Sequence, residues 1–246
     1  MLDLEVVVAH SERATIRVGE VFLKIDTDQA QADREVEAMR LAPVPTPEIL
    51  WRQPPVLALA ALPGRPLARL GEPATGSPAA WEAAGDVVRR LHEAPLPTWQ
   101  SRRGAERAAI LDRECELLVA QDLLPRDVVS RGRELAQVAL EPRPQAFIHG
   151  DLQVAHVFLD EADRVTGVLD WSEGGAGDPA YDLATLSLGH PDRLEELMAG
   201  YGRAVDRDVI RGWWALRCLT SIRWLVDHDY DPFAPGCEAQ VLRSIV

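Results

Sequence analysis

A single lysine occupies an unusual place in this chain. Lys24 lies inside the apolar stretch VFLKI, and Glu35 follows in a segment with helical spacing. A half-buried ammonium needs an anionic partner, and a Lys24–Glu35 pair would aim the lysine at phosphate groups. Lys24 is the single lysine among 26 lysine and arginine residues. This bias suggests that arginine could not replace lysine at position 24, since a compact ammonium and a planar guanidinium are not interchangeable. The alternative is an ordinary edge-strand lysine beside a helix-surface glutamate.

An aspartate, Asp151, lies in the stretch FIHGDLQVAH, directly after His149 and Gly150. Moving a terminal phosphoryl group requires a cation on the phosphates, metal ions and a carboxylate that orients the acceptor hydroxyl. Asp151 is our candidate for that carboxylate, because an aspartate within reach of a hydroxyl can accept or orient its proton. We interpret His149 as a residue that shapes the loop rather than as a proton shuttle.

A second aspartate, Asp170, ends the apolar run VTGVLD, and an earlier apolar run covers residues 156–159. An acidic turn separates the two runs, which together predict a hairpin. Such a hairpin would place Asp170 close to His156, which begins the first run. Oxygen ligands near nucleotide phosphates are the usual way in which proteins hold Mg²⁺. The alternative is that Asp151 and Asp170 are turn or helix-cap residues.

The residues around Lys24 predict a small sheet with one helix. Four short apolar runs predict strands: 5–10, 14–19, 21–26 and 55–62. Residues 31–42 have the spacing of a helix, with Val36 and Met39 on one face. The proline-broken segment VPTPEIL between helix and last strand predicts neither type of element.

The rest of the chain is predicted to be mostly helical. Ser77 followed by Pro78 is a good helix start, since serine caps a first turn and proline fits its first position. Further helical patterns appear on both sides of the predicted hairpin. Those after the hairpin cover residues 178–188, 191–203 and 206–228.

The overall composition excludes several classes of protein. Hydrophobic residues make up 47% and charged residues 26% of the chain, which is typical of a globular rather than a disordered protein. A net charge of −13 argues against nonspecific binding to nucleic acid or to an anionic membrane, and no apolar run is long enough to span a bilayer. The acidity would suit a cationic substrate, although many proteins are acidic for solubility alone.

Two further features predict a reducing cytoplasm as the location. The three cysteines are odd in number and far apart, which argues against a disulfide framework and against a zinc site. The stretch MLDLEVVVAH has neither a basic start nor a small-residue cleavage site, so we expect no secretory signal.

The ordered set HGDLQVAH, VTGVLDW and GDPAYDLA resembles the aminoglycoside phosphotransferase family, whose members are relatives of protein kinases. That family typically carries H-G-D-x-x-x-x-N, then I-D-W or I-D-x, then G-D-P-x-x-D-L-A. The resemblance is strong at the hairpin and weaker at Lys24 and Glu35. It implies a two-lobed, protein-kinase-like α+β fold, with a small antiparallel-sheet N-terminal lobe and a larger, mainly helical C-terminal lobe. We place the boundary between residues 1–62 and 63–246.

The resemblance also implies a role for each candidate. Asp151 would be the catalytic aspartate and Asp170 a metal ligand, while Lys24 and Glu35 would form the phosphate-binding pair. Two aspartates of the GDPAYDLA stretch match family positions that we interpret as a helix cap and a packing anchor: Asp178 and Asp182.

The nucleotide itself would contact two further segments. Pro63-Gly64 resembles the family's hinge, which would place adenine against the backbone of Ala60 and Leu62. The loop AHSERA, residues 9–14, would cover the nucleotide. This loop lacks glycine, so Ser11 and backbone amides would have to meet the phosphates.

The departure from the family pattern is His156, which stands where members have asparagine. Histidine offers a nitrogen, which is a poor match to Mg²⁺ but acceptable to Mn²⁺ or Zn²⁺. Three interpretations follow: an active enzyme with His156 as a ligand, an active enzyme with one metal held mainly by Asp170, or a nucleotide-binding pseudokinase. Because Lys24, Asp151 and Asp170 are all present, we favour activity.

An acidic cluster, DHDYD at residues 227–231, lies near the chain end. In family members that bind aminoglycosides, C-terminal acidic residues line a pocket for cationic sugars. The resemblance therefore makes Asp227 and Asp229 candidates for contacting the substrate. A solvated helix terminus is the alternative.

We accordingly predict a kinase that moves the γ-phosphoryl group of ATP or GTP to a hydroxyl of a small molecule. Mg²⁺ is the expected metal, with Mn²⁺ as the alternative because of His156. The acceptor could be an aminoglycoside-like antibiotic or a metabolite such as an amino alcohol or a sugar. Two alternatives lack turnover: a nucleotide-binding pseudokinase and a protein that sequesters a small molecule.

Overall fold

The computed structural model describes residues 4–9, 13–72, 76–101 and 107–246. Within these ranges the chain forms an N-terminal antiparallel sheet with one helix, followed by seven helices and two small sheets. None of the described helices is long and apolar enough to cross a membrane.

Five strands form the N-terminal sheet, in the spatial order β1-β2-β3-β5-β4. Their bounds are Leu4–Ala9 (β1), Arg13–Val18 (β2), Val21–Asp26 (β3), Ile49–Gln53 (β4) and Val56–Ala60 (β5). The four predicted strands are confirmed. The fifth, β4, is an addition: its prolines lie just outside the strand, and it occupies the sheet edge, where a strand tolerates exposed residues such as Trp51.

Helix α1, Gln29–Leu41, packs against residues 171–173, which directly follow Asp170. It begins two residues before the predicted start, because the Asp28 side chain accepts a hydrogen bond from the backbone N–H of Gln31 and so caps the first turn. The side chains of Val36 and Met39 are buried, as the helical spacing predicts.

Seven helices follow in the C-terminal part. They are α2 (Pro78–His92), α3 (Arg107–Ala120), α4 (Arg126–Leu140), α5 (Pro179–Ser187), α6 (Leu194–Tyr201), α7 (Arg207–Asp227) and α8 (Glu238–Ile245). Ser77 caps α2 and Pro78 occupies its first turn, as predicted. Helix α7 is the centre of this part, since it packs against α3, α4, α5 and α8. It buries Trp213 against the ring of Tyr181 on α5.

Short strands carry the HGD stretch and the hairpin. Strand β7 (Ala146–Ile148) pairs with β10 (Gly175–Gly177), and β6 (Arg65–Pro66), β8 (Val157–Leu159) and β9 (Val165–Val168) form a three-stranded sheet. Strands β8 and β9 are antiparallel neighbours, which confirms the predicted hairpin.

The chain passes from the first sheet to the hairpin at residues 61–64. The backbone N–H of Ala61 still donates to the carbonyl of Glu20, at 2.8 Å, whereas β6 already pairs with β8. Gly64 has a φ of +97°, and a Cβ at this position would lie 2.0 Å from the carbonyl oxygen of Leu159. Only glycine fits there, so the backbone at residue 64 can lie directly against strand β8 of the hairpin.

Candidate active site

Lys24 and Glu35 form the predicted ion pair. Lys24 lies in β3 and Glu35 on α1, and the ammonium nitrogen is 2.5 Å from Glu35 Oε1. Both side chains are largely buried, with 11% and 3% of their surfaces exposed. Burial lowers the pKa of Lys24, but the charges of Asp170 and Glu35 outweigh it and the net pKa is raised. The lysine is therefore a charged group held inside the site.

Asp170 meets the same ammonium from the other side. Its Oδ1 lies 3.0 Å from Lys24 Nζ, although 146 residues separate the two in sequence. Burial raises the pKa of Asp170, but Lys24, His156 and Arg13 outweigh it, so that the pKa lies well below its usual range. Its backbone is left-handed, at φ 66° and ψ 64°, which is strained for a residue other than glycine. The fold thus holds an aspartate in an unfavourable conformation that directs its carboxylate at Lys24.

A second cation, Arg13, also lies at Asp170. Its Nη1 is 3.6 Å from Asp170 Oδ1, and its Nε donates to Asp26 Oδ2 at 2.9 Å. Burial lowers the pKa of Arg13, while Asp170, Glu35 and Asp26 raise it above the ordinary value. Arg13 is not among the predicted site residues, because its place at the start of a strand reads as an ordinary surface position.

Asp151 lies in a separate ion pair. Its Oδ1 is 2.9 Å from Nη1 of Arg217, and its Oδ2 accepts a hydrogen bond from Nε2 of Gln153, also at 2.9 Å. The Arg217 side chain is only 9% exposed and that of Asp151 is 20% exposed. Burial lowers the pKa of Arg217, but Asp151 and Tyr181 raise it more, so the guanidinium stays charged.

Arg217 is anchored from the helical side. It lies on α7, and its Nη1 donates to the hydroxyl of Tyr181 at 3.1 Å. Arg107 in turn lies over the rings of Tyr181 and Trp213, with Cζ 5.4 and 4.4 Å from the two ring centres. Arg217 is also absent from the predicted site residues. Its signal in the sequence is a lone charge within the apolar stretch WWALRCL, which is the same type of signal that identifies Lys24.

His149 connects the Asp151 and Asp170 segments. Its Nε2 lies 3.0 Å from the carbonyl oxygen of Leu169, and its Nδ1 lies 3.3 Å from the backbone N of Asp151. A carbonyl can only accept and an amide can only donate, so His149 is a neutral imidazole with its proton on Nε2. Burial lowers its pKa, in agreement with the neutral form. This supports the interpretation of His149 as a residue that shapes the loop.

One ring nitrogen of His156 contacts the backbone, and the other is available to a ligand. Its Nδ1 is 2.8 Å from the carbonyl oxygen of Asp151, so Nδ1 carries the proton. In the neutral imidazole the lone pair is then on Nε2, which is the usual tautomer of a metal-ligating histidine. His156 is also close enough to Asp170 to lower the pKa of that carboxyl group.

Two further aspartates hold the HGD loop. The carboxylate of Asp182 is fully buried and accepts hydrogen bonds from the backbone N–H groups of His149 and Gly150, at 2.7 and 2.9 Å. Asp178 caps α5 by accepting from the backbone N–H of Ala180, at 2.9 Å. Their predicted structural roles, a packing anchor and a helix cap, are confirmed.

The remaining predicted residues are Ser11, Ala60 and Leu62, and the pair Asp227 and Asp229. Ser11 lies outside the described residues. The backbone N–H of Ala60 donates to the carbonyl of Glu48, at 2.9 Å, so the nucleotide contacts predicted for this segment fall to the Ala60 carbonyl and the backbone of Leu62. Asp227 ends α7 about 15 Å along the helix axis from Arg217, and Asp229 follows it.

Asp227 and Asp229 border an exposed aromatic stack. The ring of Trp224 stacks on that of His228, with centres 4.1 Å apart, and Tyr230 continues the stack at 6.1 Å. One Asp227 oxygen accepts a hydrogen bond from Arg223 at 2.8 Å. Asp227 is thus paired with an arginine of its own helix.

Within the described residues, no group of three or more histidine, cysteine, aspartate or glutamate side chains is placed to hold a metal ion. The candidate donors are the Asp170 carboxylate and the Nε2 of His156. Two protein ligands suffice for a metal that completes its coordination with water and nucleotide phosphates.

The sequence profile of the phosphotransferase enzyme family matches residues 9–217 of this chain. The chain belongs to this family. The matched range includes both parts of the site, from Arg13 and Lys24 in the first sheet to Asp170 and Arg217 in the C-terminal part.

Individual relatives agree with this assignment. Viomycin phosphotransferase of Streptomyces vinaceus is 32% identical over 214 residues, which cover 75% of this chain and 69% of that protein. Streptomycin 3''-kinase of Streptomyces griseus is 34% identical over 146 residues, which cover 53% of this chain and 52% of that protein. The chain thus matches only about half the length of the second relative.

A solved structure shows the same fold. The aminoglycoside phosphotransferase APH(3'')-Id of Streptomyces rimosus is 29% identical, with a TM-score of 0.61 over 88% of this chain and 92% of that one. That enzyme has also been solved in complex with ADP and streptomycin. The predicted protein-kinase-like α+β fold is confirmed, and the protein is a small-molecule kinase. The lobe boundary at residue 62 stays a prediction.

Proposed function

We propose that this phosphotransferase binds the phosphates of ATP or GTP with Lys24, which Glu35 orients. The observation that carries the proposal is the position of the Lys24 ammonium, 2.5 Å from Glu35 and 3.0 Å from Asp170. This contact joins the N-terminal sheet to the catalytic hairpin. A charged lysine at such a junction neutralises phosphate oxygens during transfer.

Asp151 is the residue we assign to the acceptor. Its carboxylate would accept a hydrogen bond from the acceptor hydroxyl and so aim that oxygen at the γ-phosphorus. The hydroxyl oxygen would bond to phosphorus as the bond from phosphorus to the leaving nucleoside diphosphate breaks, and the hydroxyl proton would pass to the Asp151 carboxylate. Arg217 and Gln153 hold the two carboxylate oxygens, which supports a fixed orientation for this group.

Asp170 and His156 are the residues that would hold the metal. The Asp170 carboxylate is an oxygen donor that suits Mg²⁺, and the nitrogen of His156 suits Mn²⁺ better. A bound divalent cation supplies positive charge to the phosphate chain. The lowered pKa of Asp170 supports this role, since a metal ligand must be deprotonated.

We further propose that the acceptor is a cationic antibiotic of the kind named for the relatives. Those relatives are a viomycin phosphotransferase and a streptomycin 3''-kinase. The net charge of −13 favours a cationic partner, and Asp227 and Asp229 beside the exposed ring of Trp224 offer charge and a stacking surface. The alternative acceptors are metabolites such as amino alcohols, which the assay below includes for comparison with the antibiotics.

One observation favours a second candidate, the nucleotide-binding pseudokinase. His156 replaces the neutral amide oxygen of the family's asparagine with a nitrogen, which Mg²⁺ binds poorly. Two observations argue against this candidate. Lys24, Asp151 and Asp170 are all present, and the Nδ1 contact of His156 leaves its Nε2 available to bind a metal.

The experiment is a phosphoryl-transfer assay with the full chain. ATP and GTP would each be offered with viomycin, streptomycin, kanamycin, choline and water as acceptors, in Mg²⁺ and in Mn²⁺. We expect nucleotide-dependent phosphorylation of a cationic antibiotic that falls by about 100-fold or more in Asp151→Asn. Nucleotide binding without transfer to any acceptor, in either metal, would support the pseudokinase instead.

A further inference from the structure

The register of β2 and β3 places the Arg13–Asp26 pair beside Lys24. Thr15 lies opposite Lys24, and Arg13 lies opposite Asp26. Side chains two residues apart on a strand point to the same face of the sheet. Arg13, Asp26 and Lys24 therefore lie on one face, which is the face that meets the Asp170 loop.

The two cations are held in the same way. Glu35 contacts Lys24, and Asp26 contacts Arg13, with distances of 2.5 and 2.9 Å. Both cations then approach a single oxygen, Oδ1 of Asp170, at 3.0 and 3.6 Å. Each cation thus has one carboxylate that orients it and shares a second carboxylate with the other.

Arg13 is a largely buried cation with one close and one long ionic contact. Its side chain is only 18% exposed and that of Asp26 is 11% exposed. Asp26 compensates the guanidinium for its removal from water at 2.9 Å, whereas the contact with Asp170 at 3.6 Å is long for an ion pair. Two cations and three carboxylates also leave one net negative charge, which can accept a divalent cation together with phosphate groups.

We propose that Arg13 is a second phosphate-binding cation, oriented by Asp26 as Glu35 orients Lys24. This inference rests on the proposed function. Asp170 would hold the metal, which would leave Arg13 and Lys24 with one carboxylate partner each and with N–H donors directed at phosphate oxygens. The planar guanidinium of Arg13 offers several N–H donors in a geometry that suits phosphate oxygens.

The test compares nucleotides that differ in the number of phosphates. Dissociation constants of ATP, ADP and adenosine would be measured by calorimetry for the wild type, Arg13→Gln and Arg13→Lys, with Mg²⁺. We expect Arg13→Gln to weaken ATP binding by about 10- to 100-fold and to leave adenosine binding unchanged. Arg13→Lys should recover part of the affinity for ATP, because it restores the charge without the forked geometry.

A matched control lies on the same strand. Arg17 is also on β2 and on the same face as Arg13, but it pairs with Glu20 and its side chain is 42% exposed. Arg17→Gln should leave all three dissociation constants within about twofold of the wild type. Asp26→Asn, which frees Arg13 from its orienting carboxylate, should weaken ATP binding by less than Arg13→Gln does.

The outcomes separate this inference from the proposed function. Wild-type protein that binds and transfers from ATP, with equal ATP affinity in Arg13→Gln, overturns the role of Arg13 alone. Equal losses of ATP and adenosine affinity would show that Arg13 supports the fold, and would also overturn the inference. Wild-type protein with no affinity for ATP or GTP overturns both proposals.

Discussion

The two aspartates of the site are held in different ways. Asp170 is held by Lys24 and Arg13, both from the N-terminal sheet, so its partners come from a different part of the chain. Asp151 is held by Arg217 from α7, which is packed within the helical part. The Asp170 contacts depend on how the sheet meets the hairpin, whereas the Asp151 contacts are internal to the C-terminal part.

This difference matches the two tasks of a kinase. A carboxylate at the nucleotide must exchange protein cations for a metal and phosphates, so contacts across a junction suit it. A carboxylate that aims a hydroxyl benefits from a fixed position, because misplacement of reacting atoms by about 1 Å slows a reaction strongly. We therefore expect perturbations of Asp170 to alter nucleotide binding and those of Asp151 to alter turnover.

The largest expected effect separates these two tasks. Asp151→Asn should lower kcat by about 100- to 10,000-fold and leave the dissociation constant of ATP within about threefold of the wild type. Asp170→Asn should lower kcat comparably and also weaken binding of ATP with Mg²⁺. Calorimetry and steady-state kinetics on both variants check the difference. Equal effects on nucleotide affinity would contradict the comparison.

The second prediction concerns the Asp151–Arg217 ion pair. Arg217→Met should lower kcat by about 10- to 100-fold, because Asp151 loses the group that holds its Oδ1, while ATP affinity stays unchanged. Arg223→Met is the matched control, since Arg223 lies on the same helix and pairs with Glu114 and Asp227. Partial recovery of kcat in Arg217→Lys would support the positioning role. A loss in Arg223→Met as large as that in Arg217→Met would argue for a general effect on α7.

The third prediction concerns His156 and the choice of metal at the nucleotide. His156→Asn should raise the ratio of Mg²⁺- to Mn²⁺-supported kcat by about 10-fold, because an amide oxygen suits Mg²⁺ better than an imidazole nitrogen does. The measurement is a titration of each metal at saturating ATP. His228→Asn, at the exposed end of α7, is the control and should not change this ratio. An unchanged ratio in His156→Asn would remove His156 from the metal site.

The smallest expected effect is on stability. The pKa of Asp170 is lowered in the folded protein, so its charged form stabilises the fold above the unfolded value of about 3.9, and this contribution is lost as the pH falls below it. Asp170→Asn should therefore cost about 1–2 kcal/mol at pH 7 and progressively less below about pH 4. Urea unfolding of both proteins across this range measures the difference. A constant difference would mean that the charge of Asp170 is not responsible.

Much of the fold follows from local sequence patterns, and so do the site residues Lys24 and Asp170. Lys24 stands out as a charge in an apolar strand, and the hairpin with Asp170 follows from two apolar runs around an acidic turn. Arg217 carries a similar signal, a charge within the apolar stretch WWALRCL, yet its partner Asp151 lies 66 residues away and only the tertiary packing of α7 joins them.

Other features leave no local signal. Arg13 begins a strand, as many surface arginines do, and its role depends on the register that sets it opposite Asp26. The left-handed backbone of Asp170 is imposed by the surrounding fold, since an aspartate by itself favours other conformations. Strand β4 is hidden by flanking prolines, which local propensity reads as an interruption.

The single lysine has a consequence for chemical labelling. Reagents that acylate amine side chains can modify this protein at one side chain only, and that side chain is clamped between two carboxylates. Its raised pKa keeps it protonated and therefore weakly nucleophilic. Any treatment that breaks the contacts of Lys24 with Glu35 and Asp170 should speed the acylation of Lys24. The rate of Lys24 acylation would therefore report whether these two ion pairs are intact.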